Sequence, residues 1–218
     1  MPTVTPKAVI FDLDGTILDT EQMWALATQQ MLEARDIPYT EELKHTIHNA
    51  VHGLSPIHAC IELNRLVGLH ESPEALALEK RQRAYELIQG NIRFIPGFLS
   101  FLARVNELGL KTAVATNCST PFVELADKEV NLKKLFNEHI YNPAHTAYRC
   151  KPLPDVYIYA ARQLGVAPSE CIAIEDSAAG ITSAVAAGMY CIGINTADNH
   201  ANLSRANLIV ETYAQIKI

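Results

Sequence analysis

The stretch VIFDLDGTILDTE, Val9 to Glu21, decides how the chain is read. An apolar run ends in Asp12 and Asp14 either side of a leucine, followed at once by Gly15 and Thr16, with Asp19 and Glu21 beyond. In a strand, residues i and i+2 point the same way, so Asp12 and Asp14 project together from the strand's C-terminal end. That end is where open α/β sheets bind their ligands. Two carboxylates so close raise one another's pKa unless they share a cation, and Mg²⁺ favours carboxylate oxygens. Gly15 lets the chain turn tightly, so that backbone N–H groups can face an anion. Alone, DxDG also fits a plain strand-ending turn.

Working outward, further apolar runs recur at Thr112–Ala115, Cys171–Ile174, Cys191–Ile194 and Leu208–Val210. Like Ala8–Phe11, they read as strands buried on both faces, as central parallel strands are. Helical patterns fill Phe98–Leu108, Val123–Val130, Asp155–Leu164 and Ala178–Ala187, with Gly109, Gly165 and Gly188 at their C-terminal ends. Thr120-Pro121 reads as an N-cap followed by proline at the first helical position. This alternation implies a Rossmann-like, doubly wound parallel sheet. Between about Leu18 and Asn91 no strand pattern occurs, only four helical segments, the last with Ser72 as N-cap and Pro73 after it. The chain therefore divides into an α/β core, 1–17 and 93–218, and an inserted all-helical cap, 18–92.

Each further strand ends in polar chemistry. AVATNCS delivers Thr116 and Asn117, a hydroxyl and an amide suited to phosphate oxygens. CKPLPD holds Lys151 between Cys150 and Pro152, a fixed point charge for a phosphate or a carboxylate pair. CIAIED ends in Glu175 and Asp176 and runs into SAAGITSAVAAG, where Gly180 allows close helix packing. Plain capping or solvation accounts for each of these separately. Parallel strands share their C-terminal edge, however, so all four sets converge on one site.

With these motifs in order, the sequence resembles the haloacid dehalogenase-like hydrolases over almost its whole length. DLDGT, TN, KPLPD and EDSAAG match the family's four motifs, and the helical insert matches its helical-cap subgroup of β-phosphoglucomutases, phosphoglycolate phosphatases and sugar-phosphate phosphatases. The resemblance implies Asp12 as the nucleophile that forms an aspartyl-phosphate, and Asp14 as the acid and base. It implies phosphoryl binding by Thr116, Asn117 and Lys151. Mg²⁺ would lie between Asp12, the Asp14 backbone carbonyl and Asp176, with Glu175 a nearby ligand. Cys150 departs from the family's usual glycine before the lysine, and Trp24 stands where β-phosphoglucomutases carry a histidine. The second departure favours hydrolysis over a mutase. Asp14 argues against dehalogenation, whose halide leaving group needs no acid.

The bulk properties narrow the field further. A net charge of −6 with no Lys/Arg run argues against nucleic-acid binding. The 5 scattered cysteines, without a CxxC pair, suit a reduced chain rather than a disulfide framework. No stretch approaches the roughly 20 apolar residues of a membrane span, and no signal peptide is legible, so a cytoplasmic protein is expected. The expected partner is a small phosphorylated metabolite, and the expected state is a monomer or small homo-oligomer. Hinges near Leu18–Asp19 and Asn91–Pro96 would let the cap close. Ala50 to Pro56 would reach the leaving group, and His45, His48 and His52 share a helix face that is open to either metal binding or ordinary packing. A phosphomutase, or a phospho-ligand-binding protein of the same fold without turnover, are the alternatives to a phosphatase.

Overall fold

In the computed structural model, residues 5–51, 54–196 and 203–218 are described. Six parallel strands form one sheet in the order β3-β2-β1-β4-β5-β6. They are β1 (Ala8–Phe11), β2 (Lys111–Ala115), β3 (Ile140–Tyr141), β4 (Cys171–Glu175), β5 (Tyr190–Ile194) and β6 (Leu208–Val210). Strand order reverses between β1 and β4, which pair in register from Ala8 opposite Cys171 to Phe11 opposite Ile174. Such a reversal opens a crevice at the carboxyl ends of the strands.

All four β1 side chains are buried because helices cover both faces. Val9 and Phe11 pack with α5 (Phe98–Glu107) and α6 (Thr120–Val130), whereas Ala8 and Ile10 pack with α8 (Asp155–Leu164) and α9 (Ala178–Ala186). Phe11 meets Phe98, Phe101 and Phe136 edge-on at 5.7, 6.0 and 5.7 Å. Truncating such a ring to alanine costs about 3–5 kcal/mol.

Four helices intervene between β1 and α5: α1 (Glu21–Glu33), α2 (Glu41–Val51), α3 (Pro56–Val67) and α4 (Pro73–Ile88). They enclose a core of their own from Met31, Leu32, Ile47, Cys60, Leu63, Leu76 and Ala77. Ser72 caps α4, its hydroxyl accepting the Ala75 N–H at 3.3 Å. The outgoing and returning chains pair where they cross: the Asp19 N–H donates to the Arg93 carbonyl, and the Ile95 N–H to the Ile17 carbonyl, at 2.9 and 2.8 Å.

Three expectations need correction. Ser119, not Thr120, precedes α6, and Thr120 is its first residue. β6 is not buried on both faces, because it is the sheet's edge and leaves Leu208 and Ile209 exposed. Lys151 ends no strand but lies on the loop between β3 and α8, and β3 and the four-residue helix α7 (Leu132–Leu135) were not anticipated, since elements this short carry no periodicity. Among the described residues no helix is long and apolar enough to cross a membrane.

Candidate active site

The end of β1 brings Asp12 to the crevice while its N–H still donates to the Ile174 carbonyl of β4, at 2.9 Å. The turn beyond it is fixed by its surroundings. Gly15 has φ +84, and a Cβ there would fall on the Asp176 carboxylate, so only glycine fits. Thr196 donates its hydroxyl to the Gly15 carbonyl and Tyr213 to the Thr16 carbonyl, at 2.7 and 2.9 Å. Thr16 in turn donates to Asp176 Oδ1 at 3.1 Å. Asp14, less buried than Asp12, accepts the Thr20 hydroxyl.

From β2 comes Thr116, whose hydroxyl accepts the Cys118 N–H at 3.0 Å. Asn117 holds the backbone of Lys151 from both sides: its Oδ1 accepts the Lys151 N–H at 2.8 Å, and its Nδ2 donates to the Lys151 carbonyl at 3.2 Å. Lys151 is only 3% exposed, and its ammonium donates to Asp12 and, at 2.6 Å, to Glu175 Oε1. Burial alone would lower the Lys151 pKa, but the Asp12 and Glu175 carboxylates outweigh it and hold the ammonium charged.

Glu175 ends β4, fully buried, with Oε1 accepting the Tyr157 hydroxyl at 2.8 Å and Oε2 accepting the Ser177 hydroxyl at 3.1 Å. Burial, then the Glu175 charge, pushes the Tyr157 phenol well above its ordinary value, so it stays a donor. Gly180 lies so near that a Cβ would overlap the Glu175 carboxylate.

Asp12, Glu175 and Asp176 are all buried, and each offers a carboxylate oxygen within 4.8 Å of the others'. Burial pushes the Asp12 carboxyl well above the usual carboxylate range; Lys151 opposes this, while Glu175 and Asp176 add to it. Three buried acids around one lysine leave negative charge uncompensated, and oxygen ligands suit a hard divalent cation. The site can therefore hold a metal.

The seven residues marked by the sequence, Asp12, Asp14, Thr116, Asn117, Lys151, Glu175 and Asp176, all lie at or just beyond the C-terminal ends of β1, β2 and β4 or on the loop hydrogen-bonded to Asn117. Asp14's carboxylate lies outside the three-acid group, and the Asn117 amide faces the Lys151 backbone. Sequence reasoning missed Tyr157, Thr20 and Ser177. Tyr157 had one legible signal: its hydroxyl sits in the apolar row of α8 beside Val156, Ala160 and Ala161, and a buried phenol needs a partner.

Cys150 avoids the left-handed region, so replacing the usual glycine brings no backbone strain. His48 pairs with Glu21 at 2.9 Å through Nδ1, while His52 lies outside the described residues. Trp24 packs against Tyr85 of α4 and Phe122 of α6, with ring centroids 6.3 and 5.7 Å apart.

The arrangement is that of a hydrolase whose crevice, at the carboxyl ends of a parallel sheet, gathers three carboxylates around a lysine. The chain belongs to the haloacid dehalogenase-like hydrolase family, whose model matches residues 6–188. It is 29% identical over 220 residues to hexitol phosphatase A of Escherichia coli (strain K12), covering 97% of this chain and 94% of that protein. A solved β-phosphoglucomutase from Clostridium difficile is similar at a TM-score of 0.80 and 26% identity, over 98% of this chain and 94% of that one. A family hydrolase from Deinococcus radiodurans R1, solved with bound phosphate and sodium, gives 0.76 and 26%, over 96% and 93%.

Proposed function

We propose that this hydrolase is a Mg²⁺-dependent phosphatase of a small phosphorylated metabolite, a sugar phosphate by class, working through an aspartyl-phosphate on Asp12. The observation that carries it is the contact of the Lys151 ammonium with buried Asp12 at the mouth of the three-acid group. The hexitol phosphatase relative and the relative solved with phosphate support the substrate class.

Asp12 attacks phosphorus and the bond to the leaving oxygen breaks, with Asp14 donating its proton to that oxygen. Asp14 then takes a proton from water, whose oxygen attacks phosphorus and frees both phosphate and Asp12. Thr20, whose hydroxyl touches Asp14, keeps that carboxyl aimed from the strand end. Lys151 and Thr116 hold phosphoryl oxygens, and Asn117 serves by fixing the Lys151 backbone. Asp12, the Asp14 carbonyl and Asp176 would hold Mg²⁺, with Glu175 beside them. The ion supplies charge neutralisation for the phosphoryl group. Residues 18–92 act as a cap that excludes water, hinged where the two chains cross.

The likeness to a β-phosphoglucomutase supports a second reading, isomerisation of a sugar phosphate. Trp24 opposes it, since its ring packs between cap and core and offers no imidazole. A panel of sugar phosphates, nucleotides and phosphoglycolate with Mg²⁺ separates the two. Free phosphate from at least one ester supports the phosphatase, an isomerised sugar 1-phosphate with little free phosphate supports the mutase, and neither product refutes both.

A further inference from the structure

Tyr157 is among the largest fully buried side chains, and it reaches the catalytic lysine by two routes. Its hydroxyl donates to Glu175 Oε1 at 2.8 Å, the same oxygen that accepts the Lys151 ammonium at 2.6 Å. Its ring lies under that ammonium, 4.9 Å from nitrogen to centroid, within the range of a cation–π contact. The other oxygen of Glu175 accepts the Ser177 hydroxyl at 3.1 Å, and the helix at Gly180 closes the space beside the carboxylate.

We propose that Tyr157 is a positioning residue for phosphate capture: it fixes Glu175 and, through it, the direction in which Lys151 presents its ammonium. The proposal rests on the phosphatase reading above. A carboxylate oxygen has two lone pairs, and here one takes the ammonium and the other the phenol. With both filled, Oε1 cannot draw the ammonium closer, and the remaining N–H bonds of Lys151 stay turned towards Asp12 and the phosphoryl site. Without the phenol, Oε1 keeps a buried, unpaired lone pair next to the Lys151 ammonium. Lys151 then shifts towards Glu175 and away from the place where the anion docks. The ring acts separately, as an apolar and electron-rich floor that keeps the ammonium at a fixed height. Glu175 Oε1, so held, is committed to the lysine, and the cation is left to the other carboxylate oxygens of the three-acid group.

Two substitutions separate hydroxyl from ring: Tyr157→Phe keeps the ring, while Tyr157→Leu removes both. The readouts are the inhibition constant of inorganic phosphate, which reports Lys151, and the Mg²⁺ concentration for half-activation, which reports Asp12 and Asp176. For Y157F, phosphate inhibition is expected to weaken about tenfold while half-activation by Mg²⁺ stays within about twofold. Y157L is expected to weaken phosphate inhibition further. In the Glu175→Gln background, Y157F is expected to add almost nothing, because the two residues act as one unit. An active Y157F enzyme with unchanged phosphate inhibition overturns the proposal. So does a parallel drift of both constants, which a merely structural role would give. If Y157L fails to fold, Y157F decides alone. A wild-type enzyme that releases phosphate from no ester refutes the phosphatase reading instead, a result distinguishable from either.

Discussion

At the scale of the residue, the site depends on positions where nothing larger fits and on partners that sequence spacing does not reveal. Gly180 is the sharpest case, because a methyl group there would occupy the Glu175 carboxylate. Gly180→Ala is expected to cost about 1–3 kcal/mol of stability in thermal or denaturant unfolding. It should also lower kcat/KM, since Glu175 and with it Lys151 must move. A variant as stable and active as wild type would contradict the packing described. Asp12, Asp14 and Glu175-Asp176 were legible because polar residues that end apolar strands must meet at one edge, and Lys151, which ends no strand, because a lysine set against proline is a fixed point charge. Thr20 was not, and Tyr157 showed only as a phenol in an apolar row, in need of a partner. Each sits in a helix or at its start, where the linear pattern shows a face but not the distant carboxylate that the hydroxyl finds.

Among the elements, the central strands could be read from short apolar runs because burial on both faces removes every polar residue from them. β6 looked the same in sequence and yet lies at the edge, since hydrophobicity alone does not say how many neighbours a strand has. The helical insert was legible from its caps and its lack of strands, but not from its internal ties. Arg35, beyond the end of α1, donates to Glu71 at 2.6 Å and to Glu79 at 2.7 Å, joining α1 to α4 and the loop before it. The Arg35 hydrogen bonds hold both the Glu71 and Glu79 carboxyls below their ordinary value of 4.5. Because these folded pKa values are depressed, the stabilisation is present above 4.5 and fades as pH falls through the folded values. Arg35→Met is thus expected to destabilise the fold at neutral pH by about 1 kcal/mol in denaturant unfolding, given the partial exposure of the carboxylates. The difference from wild type should shrink at acid pH. An undiminished difference there would place the effect in packing rather than charge.

For the whole molecule, the question is how the cap and the sheet work together, and here the chain carries its own reporter. Trp24 is the 1 tryptophan in the sequence. It lies on α1 against Phe122 of the core, 5.7 Å between ring centroids. If the cap moves on its two crossing segments when ligand binds, the environment of this ring changes. Adding Mg²⁺ and inorganic phosphate is expected to shift tryptophan emission. An unchanged spectrum, with binding confirmed by calorimetry, would argue for a cap that stays fixed. The central claim, however, is that Asp12 carries the phosphoryl group between two half-reactions. The direct measurement is acid quenching of the Asp14→Asn variant after mixing with Mg²⁺ and an activated aryl phosphate that the wild type turns over, whose phenolate leaving group departs without the acid of the first step. Peptide mass spectrometry then locates any added phosphoryl group. Without its base for the second step, this variant is expected to accumulate that group on the peptide containing Asp12, and Asp12→Asn should abolish the signal. Phosphate released by the wild type with no such group on Asp12, or a signal that survives Asp12→Asn, would contradict the account.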